Sequence, residues 1–471
     1  MRERGRGPVK LDLRRPEAKA TVATILTLAW PTIIEQVMQT AVQYIDTAMV
    51  GALGTHATAA VGATGTVGWL VVSTIFAIGI GFLSMIAQAC GAGDREGARQ
   101  TAAQAVFVVL VVGLLGTLMP LCLSQKVPVW MQVDENIQQL AGQYFFILYL
   151  PMLPRAATGI FGTLLRAAGD TKTPMKVGVT VNIINIILNF LLIYPTRTVS
   201  LFGLNVTLFG AGWGVVGAAS ASAIAMTVGG IIITVALWRH PMISPKGVSL
   251  RPKKEILRPC LRIAFPNMMQ RFGTALGFVA FSAMINSVGE VATATHTIAN
   301  TVESAFYIPG YGMQTAAATL AGNAYGAKDN KRMKSLADMF IPLEVGLMIL
   351  SGGLLFLFAP ALVGLFSNST EVISLGTTVL RMVAVSEPFY GFSIIIEGMM
   401  MGVGKTRAPF LYNIIGMWCV RIVGTFICTQ MMGMGLISTW ACMIAHNMLL
   451  FFLYLIVWFR GSWNPLHGQT A

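Results

Sequence analysis

Residues 164–174 read LLRAAGDTKTP and residues 399–409 read MMMGVGKTRAP, so one element stands twice at a separation of 399 − 164 = 235. The same offset sets MVGALGTHATA (49–59) against MINSVGEVATA (284–294), QACGAGDR (88–95) against NAYGAKDN (323–330), and Pro31 against Pro266, all without a gap. Chance does not hold one register over more than 140 residues, and the chain reads as an internal duplication.

Each copy is strongly apolar. The chain has 471 residues, 55% hydrophobic and 11% charged, a composition suited to lipid rather than to soluble domains. A bilayer core takes roughly 20 apolar residues per helix. Runs of that size fall near 24–50, 58–88, 100–123, 137–163, 174–195 and 210–238, then near 259–288, 292–322, 337–362, 374–401, 409–430 and 436–459. They predict an all-α polytopic membrane protein with twelve transmembrane helices, six in each copy. An even number per copy leaves the two facing the same way, and parallel repeats of this kind form two lobes that open a central site alternately to either side. The expected lobes are 1–238 and 259–471, joined by a basic linker at 239–258. The first run is longer than a signal-peptide core and has no small-residue cleavage site, so it reads as a retained helix.

A net charge of +13 would suggest nucleic acid in a soluble protein, but its distribution points elsewhere. With a cytoplasmic N-terminus, 26 of the 32 Lys and Arg fall in inner segments. Lys126 and Arg197 fall outside, and Arg155, Arg271, Arg381 and Arg421 fall within spans. This is the positive-inside pattern, with both termini cytoplasmic and no nucleic-acid partner expected. The six cysteines show no metal-ligand or paired spacing and read as small apolar residues.

An ionisable residue at the bilayer centre costs ~2.5–3.5 kcal/mol on insertion scales, so it faces protein or water. In EQVMQTAVQYID (35–46), Glu35, Gln39, Gln43 and Asp46 recur on one helical face, the pattern of a helix lining an aqueous cavity. Glu35 is also placed to snorkel to the interface. The fifth run carries Asn182, Asn185 and Asn189, with the last two on one face. Their amides either join helices or hold a cation or a protonatable aspartate. The sixth run offers Ser220 and Ser222 among small residues. The second copy differs electrostatically: Gln270, Arg271 and Phe281 replace Glu35, Gln36 and Asp46, and acids stand instead at Glu303, Glu344, Glu387 and Glu397. Arg271, Arg381 and Arg421 are the cations available to neutralise them, Arg381 with Glu387 among the expected pairs. The run Met399, Met400, Met401 suggests a soft, adaptable binding surface. His296 and His446 stand alone and read as packing residues. No clustered enzyme or metal motif is found, so no enzyme activity and no cofactor are expected.

With Pro31, IDTAMVG (45–51), the ACGAGD and AYGAKD loops, LLRAAGDTKTP, and HTIANTVESAFYIPGYGMQTAAATLAGNAYGA (296–327), the chain resembles the multidrug and toxic compound extrusion family in its bacterial form. The resemblance implies a monomeric pair of six-helix lobes in the inner membrane, exporting organic cations or drugs against inward Na⁺ or H⁺. It implies that Asp46 is the coupling-cation residue, with Asn185, Asn189 and Ser222 around it and a Na⁺ at Asp46 as the only metal. Many members carry an acid at the position of Asn189. Candidates for the substrate cavity are Glu35, Gln39, Gln43, Gln270, Arg271, Glu303, Tyr390 and Glu397. The alternatives are a lipid-linked oligosaccharide flippase of the same superfamily, for which Arg155 and Arg271 would serve, and a major facilitator transporter, whose loop GAGDREGAR resembles superficially.

Overall fold

The computed structural model describes residues 16–130, 135–201 and 204–467, so most of the basic N-terminal segment lies outside the described residues. Most of the apolar runs become helices that continue into polar flanks. The first copy holds α1 Pro16–Gly51, α2 Thr55–Gly91, α3 Arg95–Leu123, a short α4 Lys126–Trp130, α5 Glu135–Tyr149, α6 Met152–Ala167, α7 Lys172–Leu192 and α8 Gly214–Arg239. The second holds α9 Lys254–Asn286, α10 Glu290–Gly326, α11 Asn330–Gly364, α12 Thr370–Gly402, α13 Arg407–Ile415, α14 Val423–Phe426 and α15 Leu436–Phe459. Polar caps mark helix starts where hydropathy says nothing: at the start of α11 Asp329 accepts from the Arg332 amide at 2.8 Å, and before α7 Asp170 accepts from the Thr173 amide at 3.0 Å.

Among the described residues, ten helices are long and apolar enough to cross a membrane, and α5 with α6 make an eleventh, bent by 50°. The remaining expected span is α10, 37 residues long but diluted by the polar stretch ATATHT. The run 137–163 is thus a broken rod rather than one straight helix. Pro151 and Pro154 explain the break, because a proline cannot donate to the preceding turn and its ring clashes with it. Two other features were not legible in hydropathy. Residues 195–201 and 204–211 form an antiparallel pair, β1 Pro195–Leu201 with β2 Leu204–Ala211, setting Val199 against Val206 and Thr198 against Thr207. The rod beginning at α13 has π-helical turns at Gly416–Ile422 and Ile427–Met431, on either side of α14.

The chain forms two compact units, which do not coincide with its sequence halves. One comprises Met1–Ile33, Leu83–Asp94 and Leu261–Ala471, the other Ile34–Phe82 and Arg95–Cys260. In the first, Ile25, Leu28 and Ala29 of α1 are buried with Met313, Leu320, Phe340, Ile395, Met399 and Tyr454. The three consecutive methionines are therefore core, each at most 5% exposed, and not the adaptable surface their softness suggested. In the same unit the repeated loops meet reciprocally. A Cβ on Gly91 would land on the carbonyl of Asn323, and one on Gly326 on the carbonyl of Gln88; both pairs are equivalent at offset 235. Only glycine lets the backbones approach this closely. In the second unit, Met49 and Val50 of α1 pack with Ala57, Ile193, Val215 and Ala218.

Candidate functional site

In the unit of Ile34–Phe82 and Arg95–Cys260, helices α1, α7 and α8 bring four polar side chains into one chain of hydrogen bonds. Asn189 Nδ2 donates to Asp46 Oδ1 at 2.6 Å and to Asn185 Oδ1 at 3.2 Å, and Asn185 Nδ2 donates to Ser222 Oγ at 2.9 Å. The four-residue spacing of Asn185 and Asn189 puts both amides on one face of α7, and the small residues of α8 leave room for Ser222 to reach them. Both asparagines are buried, at 4% and 1% exposure, while Asp46 is half-buried. Asn189 Oδ1 is buried and meets no donor. A buried carbonyl oxygen without a partner costs about 1–3 kcal/mol, and this one stands beside the Asp46 carboxylate. Asp46, Asn185, Asn189 and Ser222 are thus brought together in space.

Glu35, about three turns before Asp46 on the same α1, has a different partner. Arg166 Nη1 lies 2.9 and 2.8 Å from its two carboxylate oxygens, and Arg166 Nη2 donates to Thr163 Oγ1 at 3.3 Å. Arg166, counted above among loop cations, lies in the last turn of α6 with its side chain only 9% exposed. Gln39 and Gln43 are exposed. The polar face of α1 therefore divides into an ion pair, two exposed amides and the Asp46 chain.

In the other unit, Glu397 Oε1 accepts from Gln270 Nε2 at 2.8 Å and from Asn413 Nδ2 at 3.3 Å, joining α12 to α9 and α13. Arg271 Nε donates to Asn267 Oδ1 at 3.2 Å. Tyr390 and Tyr311 share a hydroxyl contact of 3.2 Å. Glu303 and Glu387 are buried at 6% and 3% exposure, and Glu344 is wholly buried with neither carboxyl oxygen meeting a donor. Gly310 and Gly391 make room for it, since a Cβ on Gly310 would lie 2.7 Å from Glu344 Oε1.

The expected pairing of Arg381 with Glu387 is absent among the described residues. Six residues apart on one helix, the two point to different faces; Arg381 Nε donates to the Phe356 carbonyl at 3.3 Å, and its guanidinium lies over the Phe356 ring at 5.2 Å. Arg421 likewise makes no ion pair within 4 Å among the described residues, and stacks on Phe281 at 4.0 Å and Phe278 at 4.8 Å. A π-helical turn places it there, a geometry that periodicity of 3.6 does not anticipate. His296 packs edge-on between Phe281 and Trp440, and His446 against Gly416. No group of acids, histidines and cysteines among the described residues could hold a metal by itself.

The family model MatE matches residues 31–191 and again 266–427, the two segments beginning 266 − 31 = 235 apart. The chain belongs to the MatE family. Each MatE segment is one copy of the duplication seen in the sequence. Among curated relatives, the chain is 26% identical over 440 residues to the probable multidrug resistance protein NorM of Thermotoga maritima, covering 93% of this chain and 92% of that one. It is 24% identical to the probable multidrug resistance protein YoeA of Bacillus subtilis, covering 91% and 92%. Its fold is similar to that of a MATE crystal structure in complex with MaL6, at TM-score 0.86 and 23% identity over 98% of this chain and 99% of that one. It is also similar to that of an outward-facing multidrug resistance MATE family transporter, at TM-score 0.84 and 24% identity, over 99% and 100%. The MatE fold, two parallel six-helix repeats, agrees with the reading of the sequence, and the chain is a multi-pass membrane protein.

Proposed function

We propose that this MatE chain sits in the cytoplasmic membrane with both termini inside and exports small organic molecules, organic cations foremost, in exchange for Na⁺ or H⁺. The observation that carries the reading is the chain Asp46–Asn189–Asn185–Ser222, which ends in a half-buried carboxylate beside a carbonyl oxygen without a donor. A cation entering there would be met by Asp46 and Asn189 Oδ1. A proton would instead reside on the Asp46 carboxyl, with the Asn189 amide holding its other oxygen. Either event removes negative charge from α1 and alters what that helix can attract. The driving force is adequate, since each charge crossing the membrane draws ~2.3 kcal/mol per 100 mV. The relatives named as multidrug resistance proteins support small-molecule efflux as the task.

A flippase for anionic lipid-linked sugars would be served by free cations. Arg155 is engaged locally instead, its Nη2 donating to the Leu148 carbonyl at 3.2 Å and its guanidinium 5.2 Å above the Tyr149 ring, where it braces the break between α5 and α6. The test is uptake of a fluorescent organic cation by proteoliposomes under separately imposed Na⁺ and H⁺ gradients. Uptake under one gradient supports the proposal and names the ion, and indifference to both contradicts it.

A further inference from the structure

The two copies of the opening element differ at one position in a way that the coupling chemistry does not use. In the first, Gly169 and Asp170 precede α7, and the Asp170 carboxylate caps the helix through the Thr173 amide at 3.0 Å. At offset 235, Asp170 becomes Lys405 and Thr173 becomes Ala408. The backbone is retained, with Gly169 at φ 89° and Gly404 at φ 81°, but an ammonium now stands where the capping carboxylate stood. The neighbouring hydroxyl does not compensate: Thr406 Oγ1 donates to the Ile263 carbonyl at 2.9 Å and caps nothing. Pro409, at the third helical position, has no amide hydrogen, so α13 begins with the Arg407 and Ala408 N–H groups open to an external acceptor.

This end of α13 borders a cavity of about 370 Å³ walled by α9, the α12–α13 loop and the end of α15. Three cations, Arg262, Lys405 and Arg407, line it, and among the described residues no carboxylate does. Lys405 Nζ spends one hydrogen on the Ser462 carbonyl at 2.7 Å and keeps two. Burial disfavours its charged form. Beside Thr406 and Ser462, the wall carries the apolar surfaces of Ile263, Met400, Ala408 and Val457 and the ring of Tyr412. Because α13 starts here and α12 and α15 end here, the cavity lies at the level where spanning helices leave the hydrocarbon.

A cationic mouth over apolar walls at the membrane surface matches a molecule with a phosphate and acyl chains. We infer that this cavity binds the phosphate headgroup of an anionic phospholipid, which replaces the carboxylate that the first copy supplies from Asp170. Basic pockets between transmembrane helices are suited to such headgroups, and the open helix start adds backbone donors for the phosphate. The lipid would thus serve as an exchangeable cap for α13, the helix that also carries Asn413 to Glu397.

The test is native mass spectrometry and thermal unfolding of the purified full-length protein with phosphatidylglycerol, with phosphatidylcholine of the same chains, and with inorganic phosphate. Phosphatidylglycerol should bind preferentially and raise the unfolding temperature. Lys405→Asp, which restores the first copy's carboxylate, should weaken that binding by about tenfold or more while keeping the protein folded without the lipid. Arg262→Gln with Arg407→Gln should also weaken it, whereas Lys331→Gln with Arg332→Gln, an equal charge loss at the start of α11, should not. Equal binding of phosphatidylcholine would overturn the inference. So would undiminished binding by both the Lys405 and the Arg262/Arg407 variants, an equal loss in the α11 control, or saturation of the site by inorganic phosphate with no preference for the lipid.

Discussion

Asp46 and Asn189 form the shortest polar contact of the candidate site, at 2.6 Å. Charge-assisted hydrogen bonds of this kind are about twice as strong as neutral ones. Replacing Asn189 by Leu is expected to lower gradient-driven uptake about tenfold, with protein levels in the membrane unchanged on immunoblots. The Glu35–Arg166 pair behaves differently, because its role is to hold α1 against α6. Arg166→Ala leaves the Glu35 carboxylate without its partner and should cost about 3 kcal/mol, read as a lower unfolding temperature, whereas Arg166→Leu with Glu35→Leu should recover much of that loss. Asp46, Asn185, Asn189 and Ser222 were legible as a group because spacing on α7 and the family motif both select them. Arg166 was not, since Gly169 and Asp170 so close behind it disguise the last turn of a buried helix as a loop. Glu344 was legible as an acid within a span, but not as one that meets no donor, because its surroundings come from α10 and α12.

At the scale of elements, hydropathy locates the spans and misses their irregularities. The strand pair of 195–201 and 204–211 is encoded in the alternation TRTVSL and LNVTLF, a period-two signal too short to stand out between two apolar helices. The bend between α5 and α6 is encoded in Pro151 and Pro154, yet a window average sees only their apolar neighbours. The π-helical turns after α13 have no such signature; they follow from packing, as where a Cβ on Gly416 would lie against the ring of His446. The reciprocal contact of Gly91 and Gly326 carries the most direct structural prediction. Adding a methyl group at either glycine forces backbone against backbone, and each of Gly91→Ala and Gly326→Ala should destabilise by about 3 kcal/mol or more, seen as loss of monodisperse protein on size-exclusion chromatography. A surface glycine such as Gly353, whose added Cβ would meet nothing within 4 Å, is the control and should tolerate Ala.

At the scale of the molecule, a duplicated six-helix unit has kept its backbone and divided its chemistry. The first copy retains the carboxylate of α1 with its amide chain, while the equivalent of Asp46 in the second is Phe281, wholly buried. The second copy instead buries Glu303, Glu344 and Glu387, and replaces a helix-capping aspartate with Lys405. The duplication was readable from a fixed offset, because a repeat preserves register even where side chains diverge; the parallel sense followed from six spans per copy, and the family from the motifs. The compact units were not, since residues up to Ile33 and Leu83–Asp94 group with the second copy, and contacts between distant segments leave no trace in local composition. The account stands or falls on Asp46 as the group through which an ion gradient does work. Gradient-driven export of a fluorescent organic cation, compared between wild-type and Asp46→Asn protein reconstituted at equal density, tests this most directly. The account predicts that the variant binds in the membrane as before but accumulates no substrate under either a Na⁺ or an H⁺ gradient, and uptake by the variant at the wild-type rate would contradict it.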